Sequence, residues 1–349
     1  MPDRRGGASL EPPYGMPSRP APLGVFRFRS IAARARGLLT VCLEMRAFGS
    51  GILSVVLVLA PAYAGGPRRC GDDVDGRGTA VRCECGDLLV SSHTLTAADP
   101  ITQHPCPGTG LLVDARADHP GPRLSLGGQA IAGSGRGIGI QVAGGGADGA
   151  TLQGPGTVQG FDTGVLAVNG SLARAADVRA TENRADGFSV VGVGYTVTGC
   201  EAVRNGRDGF ALRGQGFRVE GNRALENGRR GFTISGRDGV VGGASGNEAS
   251  ANARGGLAIQ GRGHRIERPV ALNNAGAGIR ARVAGGRLAD ATASGNRGDG
   301  LRVEGHDLAI TGGDARGNGR SDLRVRGARV RREDGGVTTR ACGAGTSCP

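Results

Sequence analysis

NRADGFSVVG (183–192), NGRDGFALRG (205–214) and NGRRGFTISG (227–236) are copies of one unit set 22 residues apart. Working outward, the register A-x-x-N-x-x-x-G-φ-x-φ-x-G-x-x-x-x-φ, with φ apolar, runs from residue 180 to residue 327. The glycine column reads Gly187, Gly209, Gly231, Gly256, Gly278 and Gly300, with steps of 22, 22, 25, 22 and 22. A seventh copy puts Asp322 in that place. Four residues earlier stand Asn183, Asn205, Asn227, Asn252, Asn274, Asn296 and Asn318. Seven residues earlier the column is Ala180, Ala202, Ala224, Ala249, Ala271, Ala293 and Ala315. A fixed period of this length means stacked units that each contact only their neighbours.

Within each unit, GFSV, GFAL, GFTI, GLAI, GIRA, GLRV and DLRV place apolar residues at alternate positions. That alternation is a strand with one face buried. A second apolar column follows at Val197, Val219, Val241, Ile266, Leu288 and Ile310, and the alanine column marks a third short segment. Gly and Asn separate the three, as turn residues do. No 3.6-residue period is present. Three short strands per 22 residues describe one coil of an all-β parallel β-helix. Phe188, Phe210 and Phe232 would stack inside it at the strand spacing of about 4.8 Å, with Leu257, Ile279, Leu301 and Leu323 continuing the column. The Asn column predicts a ladder of side-chain amides between coils. The alanine column marks a place where only a methyl group fits.

Composition agrees with thin layers. Gly is 68 of 349 residues, well above the usual level of about 7%, and aromatics are only 3% with no Trp. The net charge of +12 comes entirely from Arg, since the chain has no Lys. Beyond residue 64, 35 Arg stand against 28 acids, scattered without a basic block. A compositional bias explains this better than nucleic-acid binding, although a basic balance still steers acidic partners.

MRAFGSGILSVVLVLAPAYAGG begins at Met45 and has the layout of a signal peptide. Arg46 is the basic region, Ile52 to Ala60 the apolar run, and Ala62-Tyr63-Ala64 the small-residue cleavage site. The apolar run is too short to span a bilayer. The expected organisation is an unstructured segment or misassigned start at 1–44 and a signal peptide at 45–64. A cysteine-bearing cap at 65–110, the β-helix at 111–330 and a C-terminal cap or tail at 331–349 follow. Export follows cleavage near Ala64-Gly65, to the periplasm, cell surface or medium. Cys70, Cys83, Cys85 and Cys106 lie just before the repeats, and Cys342 and Cys348 just after. In an exported chain they are disulfide candidates. The first four allow three pairings; Cys342 and Cys348 form the natural last pair. Their spacing fits no zinc signature. Cys200, inside a repeat, reads as a small buried hydrophobe.

The chain resembles the right-handed parallel β-helix repeat family of the pectin-lyase-like superfamily, particularly its NosD-like exported bacterial members. The NRADGFSVVG-type units carry the resemblance, which extends over roughly residues 110–330. It implies a capped solenoid, and a superfamily of polysaccharide lyases, hydrolases, epimerases, carbohydrate binders and proteins without activity. Its enzymes work on the outer face, with acids or bases from adjacent coils. The leucine-rich order and the calcium-binding glycine-rich nonapeptide are both absent.

Two outward columns break the repeat. Asp186 and Asp208 would stack on adjacent coils, with Arg207, Arg229 and Arg230 nearby, as an acid/base pair or a calcium site. Asp-Gly is also an ordinary turn dipeptide, and it recurs at Asp299-Gly300. Arg280, Arg302 and Arg324 would form a guanidinium column suited to carboxylated or sulfated sugars. The neighbouring column, Arg282, Glu304 and Arg326, can offset the repulsion through cross-strand pairs. The five His share no column and the mature chain has no Met, so a copper site lacks its ligands. Asp73-Val74-Asp75-Gly76 is only a fragment of a calcium loop. No metal site is expected, and calcium is the single cofactor that paired carboxylates would suit. The sequence favours an exported, non-catalytic protein that binds acidic polysaccharide or cell-surface glycan, or serves as an extracellular scaffold. The alternative is a polysaccharide lyase or epimerase acting on uronate-containing polymers through Asp186, Asp208, Arg207 and Arg230.

Overall fold

The computed structural model describes residues 66–117, 120–145 and 148–327. It also gives the backbone of strands Ser30–Ala35, Leu38–Met45, Leu53–Val56, Arg331–Arg332 and Thr338–Thr339. The cleavage point at Ala64-Gly65, His119, Cys342 and Cys348 lie outside the described residues. Two units divide at Gly66. In the first, the three strands between residues 30 and 56 pair antiparallel. The second, from Pro67 onward, is a parallel β-helix. Its one helical element among the described residues is a single turn, Pro100–Thr102.

Each coil contributes three strands to three parallel sheets. In the coil after Gly187 they are Phe188–Val193, Thr196–Thr198 and Glu201–Val203. Each pairs with the strand 22 residues on: Phe188 with Phe210, Val197 with Val219, Ala202 with Ala224. Further on the turns between strands shorten, and Ala277–Ser294 runs through all three sheets. The pattern starts before the regular repeat. Arg69–Cys70 pairs with Asp87–Leu89, and that strand with Leu111–Asp114. It also continues beyond it, to Thr338–Thr339.

One corner of the coil accounts for three of the constant columns. Asn227 Oδ1 accepts both the backbone N–H and the Nδ2 of Asn205, each at 3.0 Å. Asn227 Nδ2 donates onward to Asn252 Oδ1 and back to the carbonyl of Ala202. The same pattern links Asn183 through Asn318. All but the last of these Asn are buried, so unpaired amides there would carry the full desolvation cost. The corner is tight. A Cβ on Gly209 would lie 2.8 Å from the carbonyl oxygen of Gly231, 2.9 Å from Asn227 Nδ2 and 3.1 Å from the Ala224 methyl. Glycine and alanine are therefore what the ladder leaves room for.

The ladder has two ends. At the first, the backbone N–H of Phe161 donates to Asn183 Oδ1. At the last, Asn318 donates its backbone N–H and its Nδ2 to Asp322 Oδ1 in its own turn. The residue that breaks the glycine column thus supplies the acceptor that an eighth Asn would have given. A second, shorter ladder runs along another corner. The N–H of Cys200 donates to Asn222 Oδ1, and Asn222 donates to Asn247 Oδ1. The next coil places Pro269 opposite Asn247, so the amide ladder stops there, and Asn247 Nδ2 donates back to the carbonyl of Val219.

Inside, Phe188, Phe210 and Phe232 stack at centroid distances of 4.8 and 4.7 Å. Tyr195 and Phe217 make a second stack at 5.3 Å, with the His264 ring 5.7 Å beyond Phe217. Gly239 lies in the coil between these two rings, and a Cβ there would meet the Phe217 ring at 2.4 Å. The N-terminal end is pinned by Cys70–Cys83 and Cys85–Cys106, one of the three pairings the spacing allowed. Cys200 is a free, buried thiol whose pKa burial pushes up to about 12.

Asn227→Ala would leave two buried donors of Asn205 without an acceptor. At about 1–3 kcal/mol for each orphaned group, we expect a loss of about 3 kcal/mol or more. Urea unfolding measures it; a loss below about 1 kcal/mol would show that the ladder is not what holds the corner.

Candidate functional site

Stacking sorts the charges that the sequence scatters. The outward positions of the first sheet read Ser189, Ala211, Thr233, Ala258, Arg280, Arg302, Arg324 in one column. The next outward column reads Val191, Arg213, Ser235, Gln260, Arg282, Glu304, Arg326. Arg237 and Arg262 follow at the far edge. Arg207, Arg229 and Arg254 border the sheet in the preceding turn, and Arg230 opens its strand. Glu304 is the one acid among these outward strand positions. The other two sheets set more acids among their Arg. There Arg218 pairs with Glu220 and Arg265 with Glu267. Arg179, Glu201, Arg223 and Glu248 alternate down one column at separations of 2.7–3.5 Å. The first sheet therefore presents the basic face of the solenoid.

Asp186 and Asp208 do stack, but their oxygens serve the backbone. The N–H of Asp208 donates to Asp186 Oδ1 at 3.0 Å. Asp208 is buried; its Oδ1 accepts the N–H of Arg230 and its Oδ2 the hydroxyl of Thr233. Asp299 accepts the N–H of Ser321 in the same manner, 3.4 Å away. Each is a turn cap for the coil above. Burial raises the pKa of Asp186. Of the guanidiniums near the pair, Arg229 Nε is 3.9 Å from Asp208 Oδ1 and buried without a hydrogen-bond partner. Arg207 is exposed.

The Arg column is only partly neutralised. Glu304 lies 2.6 Å from the Nε of both Arg282 and Arg302, and 3.8 Å from Arg280 Nη2. These two Nε–H bonds, from Arg282 first and then Arg302, hold its pKa down to about 2. Asp299 Oδ2 lies 4.0 Å from Arg302 and from Arg324. Arg280 has its Nε buried without a partner. Burial, then Arg282 and Arg302, lower its pKa. A cleft of about 190 Å³ opens here, lined by Arg230, Thr233, Ala258, Ile259, Gln260, Arg280 and Arg282. The sequence named Arg230 and Arg280 for different roles; the structure sets them on the same cleft. A larger groove of about 830 Å³, nearer the N-terminus, is lined by glycines, Val191 and Val193, and Asp148 is its one titratable side chain.

No donor set suits a metal among the described residues. Cys83, His93 and Asp99 converge, but Cys83 is tied to Cys70. Asp75 accepts from the N–H of Arg77 and from the Thr79 hydroxyl, and Asp73 from the N–H of Gly78, so this calcium-loop fragment is a capped turn.

The cap holds an arrangement that sequence columns could not reveal, because it lies outside the repeat. His93 is buried, with Nδ1 2.6 Å from Asp72 Oδ1 and Nε2 2.8 Å from Asp99 Oδ1. Asp99 also accepts the N–H groups of Cys83 and Thr96. Only an imidazolium donates to both carboxylates at once. Burial lowers the His93 pKa, but the bonds to Asp72 and Asp99 outweigh it and the net shift is upward. His264 is the opposite case. It is fully buried, accepts the N–H of Gly239 at Nδ1, and burial lowers its pKa.

Residues 138–297 match the family model described as a right-handed beta helix region. No curated protein matches the sequence. Among solved structures, a point mutant of the periplasmic alginate epimerase AlgG is similar at 15% identity. That match covers 71% of this chain and 84% of that one, with a TM-score of 0.43. The A-module of the Azotobacter vinelandii mannuronan C-5 epimerase AlgE4 is similar at 13% identity, covering 80% of this chain and 88% of that one, with a TM-score of 0.37. Residues 138–297 therefore carry a right-handed beta helix region, set within a parallel β-helix that begins before it and continues after it.

The two histidines should bound stability from opposite sides. His93, with a raised folded pKa, contributes stability that is full below its unfolded value of about 6.5 and is lost as pH rises through the folded pKa. His264, with a lowered folded pKa, costs stability as pH falls below about 6.5. Thermal unfolding against pH should show loss on both flanks. His93→Gln should flatten the alkaline flank, and His264→Leu the acid one. Unchanged flanks would show that neither ring is held in the stated protonation state.

Proposed function

We propose that this protein is an exported, non-catalytic β-helix that binds acidic polysaccharide along the outward face of its first sheet. The observation that carries this is the one-sided charge. Arg gathers on that face with Glu304 as its one strand acid, while the other two sheets set Glu201, Glu220, Glu248 and Glu267 among their Arg. Guanidinium groups match carboxylate and sulfate in a bidentate geometry. Export is supported by the leader-like segment and by two disulfides, which persist in oxidising compartments. No helix among the described residues is long and apolar enough to cross a membrane. The non-catalytic part rests on the stacked carboxylates. Both oxygens of Asp208 are engaged, which leaves it poorly placed to move a substrate proton.

A second reading has one observation in its favour. Burial raises the pKa of Asp186, as in carboxyl groups that act as general acids, and Asp186 is only half-buried at the edge of the same face. On that reading the protein is a lyase or epimerase of uronate-containing polymers.

One experiment separates these. The exported chain should bind polygalacturonate or alginate with an affinity that falls as salt rises, and should not bind dextran. Arg280→Gln with Arg282→Gln should weaken polyuronate binding by about tenfold or more, the scale of removing one charge-assisted hydrogen bond. Equal binding of dextran would overturn the acidic-glycan assignment. Unsaturated or C5-inverted product that disappears in Asp186→Asn would replace binding with catalysis.

A further inference from the structure

Two acids already serve the C-terminal part of the guanidinium column. Glu304 bridges Arg282 and Arg302, and Asp299 lies within reach of Arg302 and Arg324. Moving one coil toward the N-terminus, the balance changes. Arg230, Arg280 and Arg282 line one cleft, and no acid lines it. Arg280 Nη2 still lies 3.8 Å from Glu304, but its Nε is buried without a hydrogen-bond partner among the described residues. A buried, unpaired guanidinium N–H costs more than an exposed one, and an anion supplies what it lacks. The floor is small, with Ala258 between Thr233 and Gln260 in the outward columns. At about 190 Å³ the cleft suits one charged substituent better than a run of sugar rings.

We propose that the Arg230–Arg280–Arg282 cleft holds one oxyanion substituent, carboxylate or sulfate, of a bound saccharide, and that Glu304 is the chain's own carboxylate closing the next coils to a second. This rests on the polysaccharide reading of the first-sheet face. Glu304 occupies the Nε–H donors of Arg282 and Arg302 that a neighbouring oxyanion would use. It therefore sets how many anionic groups the face engages and where the engaged stretch ends. Arg282 is shared: it faces the cleft and is held from behind by Glu304.

The test follows the Arg Nε–H signals of the folded chain by NMR during titration with sodium sulfate, with galacturonate monomer and with polygalacturonate. The Arg280 signal should move with sulfate or galacturonate, and the probe that saturates it at lower concentration identifies the substituent. Polygalacturonate affinity should fall about tenfold in Arg280→Gln and rise about fivefold in Glu304→Gln, the scale of one net hydrogen bond at a solvent-facing site. Both replacements are near-isosteric or smaller and polar, and matched thermal unfolding confirms that the fold is retained. Polygalacturonate binding that is indifferent to Arg280→Gln and Glu304→Gln would overturn the cleft and leave the basic face standing. Sulfate shifts at Arg280 without any polygalacturonate binding would keep the cleft and overturn the polysaccharide reading. An Arg280 signal that moves with no probe overturns the cleft outright.

Discussion

The buried corner where Ala, Asn and Gly columns meet is the constraint on which the rest of the solenoid depends. A β-helix must turn inward three times per coil, and each inward turn buries backbone donors that no strand partner satisfies. Here Asn supplies the acceptor for the turn below and the donor for the turn above. The amide needs room, so the facing strand opens with Gly and the neighbouring strand carries a methyl group. Once that corner is fixed, the coil length is fixed with it. The single step of 25 is absorbed elsewhere: Asn227 and Asn252 bond at 2.9 Å across it, as neighbouring rungs do across steps of 22.

A fixed register has an electrostatic consequence. Any residue type repeated at one outward position becomes a column at the strand spacing of about 4.8 Å. Two unit charges at that distance repel by about 1 kcal/mol in bulk water, and by several times that where the surface lowers the effective dielectric. A solenoid cannot stack like charges freely. One sheet answers by alternating Arg and Glu down a column, and another by pairing Arg218 with Glu220 and Arg265 with Glu267 along its strands. The first sheet answers only at its C-terminal end, through Glu304 and Asp299. The part left unanswered is the part that an external anion fits. On the proposed reading binding and folding would be coupled, because an anion there would relieve a repulsion that the fold itself creates.

Much of this was legible in the sequence, and the division has a physical basis. Period, strand positions, aromatic stack and Asn ladder all recur, so each column is sampled seven times or nearly so and its meaning averages out of the noise. The stack distances of 4.8 and 4.7 Å follow directly from the strand spacing. Features that occur once were not legible. The imidazolium between Asp72 and Asp99 joins three segments of an aperiodic cap. The Cys200–Asn222–Asn247 ladder could have been found, since Asn222 and Asn247 are 25 apart like Asn227 and Asn252, but two rungs do not stand out as seven do. Left-handed residues at Glu182, Arg204, Glu226, Ala251 and Asn273 share a column that continues to Gly295 and Gly317; Asn and Gly are usual occupants of that conformation, and the first four residues are not. Their side chains gave no sign of it. The carboxylates of Asp186 and Asp208 were legible as neighbours and not as caps, because the N–H groups they accept belong to the coil above.

The ladder also determines how such a chain can stop. Every rung hands its two donors to the next rung, so a bare last rung would leave buried donors idle, and an open coil would leave a strand edge unpaired. Asp322 resolves the first problem within one turn, since a carboxylate accepts two donors and offers none to pass on. The second ladder ends at Asn247, whose Nδ2 donates back to the carbonyl of Val219, with Pro269 opposite it in the next coil. The N-terminal end needs no acceptor of this kind, because the ladder begins with a backbone N–H that simply donates into it. What that end needs is a covered edge held in place, and there the chain uses two disulfides and a carboxylate-clamped histidine in the coils that precede the repeat. The direction of hydrogen bonding along the Asn column is therefore why the described ends are built from different chemistry.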